Sequence, residues 1–297
     1  MAGRECGNLV VLGLGLIGGS LARALRENGF CEHIIGCGHR APSLERALEL
    51  GVIDEYTLDV DAAFRRADIF VICTPTLTAS SVLERLLPQM DAAGPVVTDV
   101  ASVKGSLRDT ALRVAGHMPP HLVLAHPIAG SEQSGVEASR VDLFVKHRVI
   151  VTPVEGNDAA AVALVRRMWE STGAEVIDMA VDTHDAVLAA TSHLPHLLAY
   201  TLVDALAGSA DREEIFRCAA GGFRDFTRIA SSDPIMWRDI ALANRDALLE
   251  AMDDFSEHLG RLRSAVAAGD GDAMQETFTR AKQARDAFAG ILAERDQ

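Results

Sequence analysis

Short, apolar, β-rich runs alternate with helical patterns from Leu9 to about Met179, and this alternation restricts the fold to a sheet with crossover helices. Strands that are joined through helices pair in parallel, and strands that are apolar on both faces are covered on both sides. The pattern therefore predicts a doubly wound, mostly parallel α/β sheet of about seven strands. The runs are LVVLG, HIIGC, DIFVIC, PVVTDV, HLVLAH, RVIVT and AEVIDM.

The β-rich runs stop after Asp182, and helix-forming sequence follows. We therefore predict two domains, a dinucleotide-binding α/β domain over 1–181 and an all-helical domain over 182–297. The predicted helix from Asp185 to Leu206 carries an almost unbroken apolar surface, so we expect it to be buried on most sides in the core of a homodimer. The later segment AAGGFRDFTRIASSD combines two glycines with polar and basic residues, which is typical of a functional loop.

Charge and composition exclude several other classes of protein. The net charge of −14 argues against a nucleic acid as partner, because binding to a phosphate backbone needs a concentrated basic face. The first residues, MAGRECGNLV, contain no apolar signal region, and we find no run that is long enough to span a membrane, so we expect a cytoplasmic protein. The five cysteines are odd in number and form no C-x-x-C pair, which favours reduced thiols over disulfides or a metal site.

A G-x-G-x-x-G motif follows the first predicted strand and opens a helix. Glycine at these positions permits a tight turn and close approach of a pyrophosphate, whose charge the helix N-terminus stabilises. An ordinary glycine turn is the alternative, but the strand before and the helix after favour a dinucleotide site. We expect it to be bound by Gly13, Gly15, Leu16, Ile17 and Gly18.

The second strand lacks the acidic residue that usually binds the ribose 2′-hydroxyl of NAD. Gly38, His39 and Arg40 stand there instead, and we expect the last two to contact the cofactor. Arg40 would suit the 2′-phosphate of NADP, or it is simply solvated while NAD is held by other contacts. We predict NAD as the cofactor and keep NADP as an alternative.

The carboxyl ends of the strands are where an open α/β sheet places its ligands. Polar residues follow three of the apolar runs, at Thr74 and Pro75, at 99–104 and at 126–132. Among them, we expect Thr74, Pro75 and Ser102 to contact the cofactor. A histidine at a strand end beside a nicotinamide can accept a hydroxyl proton while hydride leaves the same carbon. His126 is the candidate, although a lone histidine is more often structural.

Four longer motifs in this chain together resemble the prephenate dehydrogenase family, including the cyclohexadienyl dehydrogenases that also accept arogenate. The resemblance extends from the glycine loop to about Asp253. The motifs are TDVASVKG from Thr98, HPIAGSEQSGVEA from His126, SHLPHLLAYTLVDAL from Ser192 and AAGGFRDFTRIASSDPIMWRDI from Ala219.

The resemblance implies a role for each candidate residue. His126 would be the base that hydrogen-bonds the ring 4-hydroxyl of the substrate, and Ser102 would orient that hydroxyl near the nicotinamide. Arg228 would pair with a substrate carboxylate, unless it forms a structural ion pair with Asp225 or Asp233. The histidines at positions 193 and 196, three apart on one helical face, would line the pocket near the pyruvyl side chain of the substrate.

For the other residues, the implied functional role has a structural alternative. Glu132 would guard the mouth of the pocket or cap the following helix. Trp237 and Arg238 would reach the substrate region across a dimer interface or pack as ordinary helix residues. Lys104 would be a cation beside the cofactor or substrate, or a solvated residue at a helix start. We expect no metal site, because no carboxylate or thiolate motif completes the pair His193 and His196.

The implied reaction is oxidative decarboxylation of prephenate to 4-hydroxyphenylpyruvate, a step of tyrosine biosynthesis. Preference for arogenate is an alternative, and so is a dinucleotide sensor without catalysis. A β-hydroxyacid or imine reductase is disfavoured because its usual lysine is missing from the helix 185–206. We expect neither a chorismate mutase domain before Leu9 nor a regulatory domain after Gly269.

Overall fold

The computed structural model describes residues 5–91, 93–131 and 133–295. The strands are β1 (Cys6–Leu12), β2 (Cys31–Cys37), β3 (Glu55–Thr57), β4 (Ile69–Ile72), β5 (Val96–Asp99), β6 (Leu122–Val123), β7 (Ala125–Pro127), β8 (Arg148–Val151) and β9 (Glu175–Asp178). The helices are α1 (Leu16–Glu27), α2 (Ala41–Glu49), α3 (Val60–Phe64), α4 (Thr76–Leu86), α5 (Gly105–Ala115), α6 (Ala159–Glu170), α7 (Val181–Leu188), α8 (Leu194–Ala207), α9 (Arg212–Cys218), α10 (Gly221–Thr227), α11 (Pro234–Ala243), α12 (Arg245–Ala268) and α13 (Gly271–Arg295).

Six strands form a parallel sheet in the order β3-β2-β1-β4-β5-β6, which is the Rossmann-like arrangement expected from the alternating sequence. Side chains alternate across the sheet, so Leu9 and Val11 pack into one apolar core while Val10 and Leu12 pack into another. Both faces of the sheet are therefore covered, as apolar parallel strands require.

The prediction of one sheet with about seven strands is wrong, because the run HLVLAH divides between two sheets. Its first part, β6, ends the parallel sheet, while β7 pairs antiparallel with β8 in a second sheet of order β7-β8-β9. The backbone N–H of Ala125 donates to Asp99 Oδ1 (3.2 Å), and its carbonyl accepts from Lys104 Nζ (2.6 Å). These two side chains satisfy Ala125 where β5 has ended, and the chain then leaves the first sheet.

One strand was not predicted. β3 lies at the edge of the parallel sheet and pairs with β2, from Ile35 opposite Glu55 to Cys37 opposite Thr57. It has three residues, which is too few for its alternation to stand out in the sequence.

The sequence after Asp182 forms helices joined by short connections, with no strand in its described part, which ends at residue 295. The predicted long helix consists of α7, a π-helical segment at Ala189–His193, and α8. The predicted functional loop at 219–233 is instead largely helical, as α10 and a 3₁₀ turn at Arg228–Ser231. Packing of α10 against α8 outweighs the weak helix propensity of its two glycines.

The chain forms two compact units, Met1–Arg245 and Asp246–Gln297. The first unit contains both sheets and the helices through α11, and the second consists of α12 from Asp246 onward and α13. The predicted domain boundary at 181/182 divides the chain by its secondary structure rather than by compactness, and it stays a prediction.

The helical stretch Val181–Ala207 leaves much of its apolar surface uncovered in a single chain. Val187 and Leu202 are exposed, whereas Leu194 and Ala199 are buried. By length and composition this stretch could cross a membrane, with a mean hydropathy of 1.3 and 28% of its most apolar window buried. One such helix is weak evidence, since core helices of soluble proteins share these properties. The absence of a membrane-spanning segment therefore stays a prediction.

Candidate active site

A cavity of about 790 Å³ opens at the carboxyl ends of β1, β2 and β4, where a doubly wound sheet binds its ligands. We call it the dinucleotide cavity. Six of the predicted cofactor residues line it, namely Gly13, Gly15, His39, Arg40, Thr74 and Pro75.

The three glycines of the motif serve different purposes. Gly13 has φ +99°, and a Cβ there would lie 2.5 Å from the Cys73 carbonyl oxygen. A Cβ on Gly18 would collide with the carbonyl oxygen of Gly13, because α1 packs closely on the turn. A Cβ on Gly15, in contrast, would meet no atom within 4 Å, so this position faces open space in the cavity. Gly13 and Gly18 therefore shape the turn, while Gly15 leaves room for a ligand.

The cavity also offers unsatisfied polar groups that suit a phosphate. Gly15 is the N-cap of α1 and supplies no side-chain cap, so backbone N–H groups of the first turn are available to an anion. The Thr74 hydroxyl is buried without a hydrogen-bond partner among the described residues. Leu16 and Ile17 are half-buried against the core, and their side chains do not line the cavity. These features fit a bound dinucleotide.

The rim of the cavity at the end of β2 is basic. Arg40 is the exposed N-cap of α2 and forms no ion pair with any residue of the described ranges. His39 beside it is also exposed.

His126 lies on β7, is only 8% exposed, and has a histidine as its hydrogen-bond partner. Its Nδ1 is 2.9 Å from Nε2 of His184, which is fully buried on α7. Burial, and then the neighbouring His184, Lys104 and His193, lower the pKa of His126 well below its usual value. His126 is therefore neutral at neutral pH, which is the state that a general base needs.

A buried ion pair fixes the backbone next to His126. The Lys104 ammonium is fully buried, pairs with Asp99 and donates to the Ala125 carbonyl. The interpretation of Lys104 as a solvated helix-start residue is therefore wrong. The ammonium group links the end of β5 to β7, because it contacts Asp99 in β5 and Ala125 in β7.

His193, at the end of the π-helical segment, presents an unused donor. Asn244 Nδ2 lies 3.0 Å from His193 Nδ1 and also donates to the Asp185 carbonyl (2.8 Å). An amide N–H can only donate, so His193 Nδ1 accepts and its proton is on Nε2. That Nε2 is buried without a partner among the described residues, and burial lowers the pKa of His193 to about 4. A neutral N–H donor is thus available for a ligand oxygen.

His196 stacks on Trp237, with ring centroids 3.6 Å apart and planes 20° apart. The imidazole is fixed further by a hydrogen bond from Nδ1 to the Ser192 carbonyl (2.8 Å). The Trp237 indole is buried, and its Nε1 has no partner within the described part of the chain. Within one chain, Trp237 therefore positions His196, and the neighbouring Arg238 pairs with Asp239.

For two further predicted site residues, Ser102 and Arg228, the structure gives a position but no contact with a ligand. Ser102 is half-buried in the loop between β5 and α5. Arg228 is exposed at the start of its 3₁₀ turn. Asp225 pairs with Arg224, and Asp233 caps α11. Glu132 lies outside the described residues.

The structure also reveals a pair of residues that sequence reasoning missed. His184 and Asp185 lie in α7 directly behind His126, with His184 Nδ1 2.7 Å from Asp185 Oδ1. We refer to His126, His184, Asp185 and His193 as the histidine cluster. The adjacent H-D pair in an apolar helix was the only signal in the sequence, and it is common in proteins.

Comparison with known proteins gives matches over nearly the whole chain. Residues 21–178 match the nucleotide-binding domain of prephenate dehydrogenase, and residues 180–280 match its dimerization domain. The cyclohexadienyl dehydrogenase of Zymomonas mobilis is 37% identical over 94% of both chains. The prephenate dehydrogenase of Bacillus subtilis is 36% identical, over 94% of this chain and 75% of that protein.

A solved structure has the same fold. The prephenate dehydrogenase of A. aeolicus, crystallised with hydroxyphenyl propionate and NAD+, superposes with a TM-score of 0.88 and 36% identity. The match covers 95% of this chain and 98% of that one.

Proposed function

Because this chain belongs to the prephenate dehydrogenase family, we propose that it oxidises and decarboxylates prephenate to 4-hydroxyphenylpyruvate, a step of tyrosine biosynthesis. The predicted family and enzyme class, an oxidoreductase that uses a nicotinamide cofactor, are confirmed by these matches, as is the α/β fold with a helical dimerization domain.

The observation that carries the proposal is the state of His126. Its Nδ1 is occupied by His184, while Nε2 has no hydrogen-bond partner among the described residues. A neutral imidazole just beyond the carboxyl end of β6 can accept the proton of the substrate 4-hydroxyl. Ser102 orients that hydroxyl in this assignment. Because loss of carbon dioxide makes the ring aromatic, the protein itself supplies mainly orientation, one base and charge capture.

A nicotinamide dinucleotide would be held by the glycine turn, the N-terminus of α1 and Thr74, and when bound it accepts the hydride from ring carbon 4. We assign NAD as the cofactor. The presence of NAD+ in the A. aeolicus complex supports this choice. Arg40 keeps NADP as the alternative, since an arginine suits a 2′-phosphate.

The substrate is a small dianion, and the structure offers donors of the required kind. The unpartnered Nε2–H of His193 suits a substrate oxygen, and His196 is held beside it by Trp237. Arg228 is assigned to a carboxylate, for which its planar pair of donors is well suited. Glu132 keeps its assignment at the pocket mouth.

We further propose a homodimer that forms through the helical domain. The match to a dimerization domain and the exposed apolar residues of 181–207 both support it. The free cysteines at positions 6, 31, 37, 73 and 218 fit the reducing cytoplasm, where we place the enzyme.

The test is to mix the purified protein with prephenate or arogenate and with NAD+ or NADP+, and to follow the absorbance of the reduced nicotinamide. We expect the highest kcat/KM with prephenate and NAD+. A higher value with arogenate would make it an arogenate dehydrogenase, whereas similar values with the two substrates would make it a cyclohexadienyl dehydrogenase, like the relative from Zymomonas mobilis. Cofactor binding without turnover of either substrate would instead identify a dinucleotide sensor.

A further inference from the structure

His184 is a fully buried imidazole that contacts the candidate base on one side and a carboxylate on the other. Its Nε2 is 2.9 Å from His126 Nδ1, and its Nδ1 is 2.7 Å from Asp185 Oδ1. Three side chains from β7 and α7 thus form an unbroken hydrogen-bonded row. The row begins at the base and ends at a carboxylate that the surface barely reaches, since Asp185 is 9% exposed.

The positions of the protons in this row follow from Asp185. Its Oδ1 accepts from the backbone N–H of Lys104 (2.9 Å) and its Oδ2 from that of Gly105 (2.7 Å). Burial alone would raise the pKa of Asp185, but the hydrogen bonds from His184 and these two N–H groups outweigh it and lower the pKa. The ionised carboxylate only accepts, so His184 Nδ1 donates, and its Nε2 accepts from His126 Nδ1.

We propose that His184 and Asp185 form a proton relay with His126, which rests on the function proposed above. As His126 Nε2 takes the proton of the substrate hydroxyl, His126 Nδ1 passes its own proton to His184 Nε2. One O–H and one N–H bond break and two N–H bonds form, while hydride leaves the hydroxyl-bearing carbon for the oxidised nicotinamide. The positive charge thereby moves to His184, beside the carboxylate of Asp185, which stays ionised.

The charges around the two imidazoles favour this transfer. Burial lowers the pKa of His126, and each charged or titratable neighbour that acts on it, including Lys104, lowers it further. Burial and Lys104 also lower the pKa of His184, but Asp185 and Asp99 oppose them. A proton is therefore held more favourably on His184, which has two carboxylates near it, than on His126, which has none acting on it.

The first experiment compares two aspartates of the same helical turn. Asp185→Asn removes the charge at the end of the row, whereas Asp182→Asn removes a carboxylate that is 85% exposed and pairs with Arg108. We expect Asp185→Asn to lower kcat about 100-fold, with KM and NADH affinity changed less than about threefold. Loss of the carboxylate makes His126 a weaker base, so the acid limb of kcat/KM should also move to lower pH. Asp182→Asn should change neither quantity.

A second variant covers the case in which Asp185→Asn fails to fold because Asp185 also caps α5. In His184→Gln the side-chain oxygen can accept from His126 Nδ1 but cannot take up its proton. We again expect a fall in kcat without a matching rise in KM. Wild-type kcat and an unmoved acid limb in a folded variant of either residue would overturn the proposal.

A third measurement does not require turnover. In protein labelled with ¹⁵N-histidine, His126 and His184 should both appear as Nδ1–H tautomers, with assignments from His126→Asn and His184→Gln. An Nε2–H tautomer at His126 would overturn the relay even if prephenate is oxidised. Failure of the wild type to oxidise prephenate, with both tautomers as expected, would instead contradict the proposed function and leave the hydrogen-bonded row intact.

Discussion

The dinucleotide cavity and the histidine cluster lie in the same compact unit but are built in opposite ways. The cavity depends on backbone and on missing side chains, because Gly13 and Gly18 admit no Cβ and Gly15 leaves open space. The cluster depends on individual buried nitrogen and oxygen atoms and on the hydrogen bonds that orient them. Changes of shape should therefore damage the first region, whereas changes of single polar atoms should damage the second.

His126→Asn should give the largest effect, since the amide cannot accept a proton at neutral pH. We expect kcat to fall at least about 100-fold with little change in KM, as for loss of a general base. Steady-state reduction of the cofactor with prephenate measures it. NADH affinity serves as the control, because His126 does not line the dinucleotide cavity. Near-normal turnover would remove His126 from the mechanism.

His193→Ala should act on substrate binding instead. The variant loses the Nε2–H donor that we assign to a charged substrate oxygen, a bond that contributes about 1.5–3 kcal/mol. We therefore expect KM for prephenate to rise about 10- to 100-fold while kcat changes much less. A fall in kcat at unchanged KM would show that His193 contributes to the chemical step and not to ground-state binding.

The glycine pair Gly13→Ala and Gly15→Ala tests the shape of the cavity. Gly13→Ala forces a left-handed φ and a contact with the Cys73 carbonyl, so it should lower the free energy of unfolding by about 1–3 kcal/mol. Gly15→Ala should leave thermal stability nearly unchanged but weaken NADH binding about tenfold, because its methyl group enters ligand space. Thermal denaturation and NADH fluorescence measure the two quantities separately. Equal effects of both variants on stability would contradict the assignment.

Arg40→Asp should give the smallest effect, since an exposed ion pair contributes at most about 1 kcal/mol. We expect the ratio of kcat/KM for NAD+ over NADP+ to rise about fivefold, because the new carboxylate repels a 2′-phosphate and accepts from a 2′-hydroxyl. An unchanged ratio would mean that Arg40 does not contact the cofactor.

The same contrast explains which features could be predicted from sequence. The glycine motif lies within six residues of one turn, so its spacing and the flanking strand and helix were enough to place the cavity. His126 was found at a strand end, but its contact with His184 joins residues 58 apart in the chain. It also depends on the departure of the chain from the first sheet at Ala125, which no local pattern indicates.

The burial of Lys104 likewise depends on residues that are distant in the sequence and could not be predicted. Its sequence context is that of an ordinary helix start, and only the convergence of Asp99 and Ala125 explains its burial. The segment 219–233 was misjudged because its two glycines suggested a loop, whereas α10 is stabilised by packing against α8. Long-range packing, which composition does not encode, decided both cases.

The π-helical segment at Ala189–His193 has more residues per turn than an α-helix. Side chains of α8 therefore point in other directions around the helix axis than they would if α7 continued as a regular α-helix. In a regular α-helix of about 3.6 residues per turn, positions 184 and 193 would point in opposite directions, two and a half turns apart. The wider turn changes the angle between these two directions, and Asn244 bridges the Asp185 carbonyl and the His193 ring. Deleting one residue from this segment would therefore rotate His193 away from the base while leaving every side chain of the active site in the sequence.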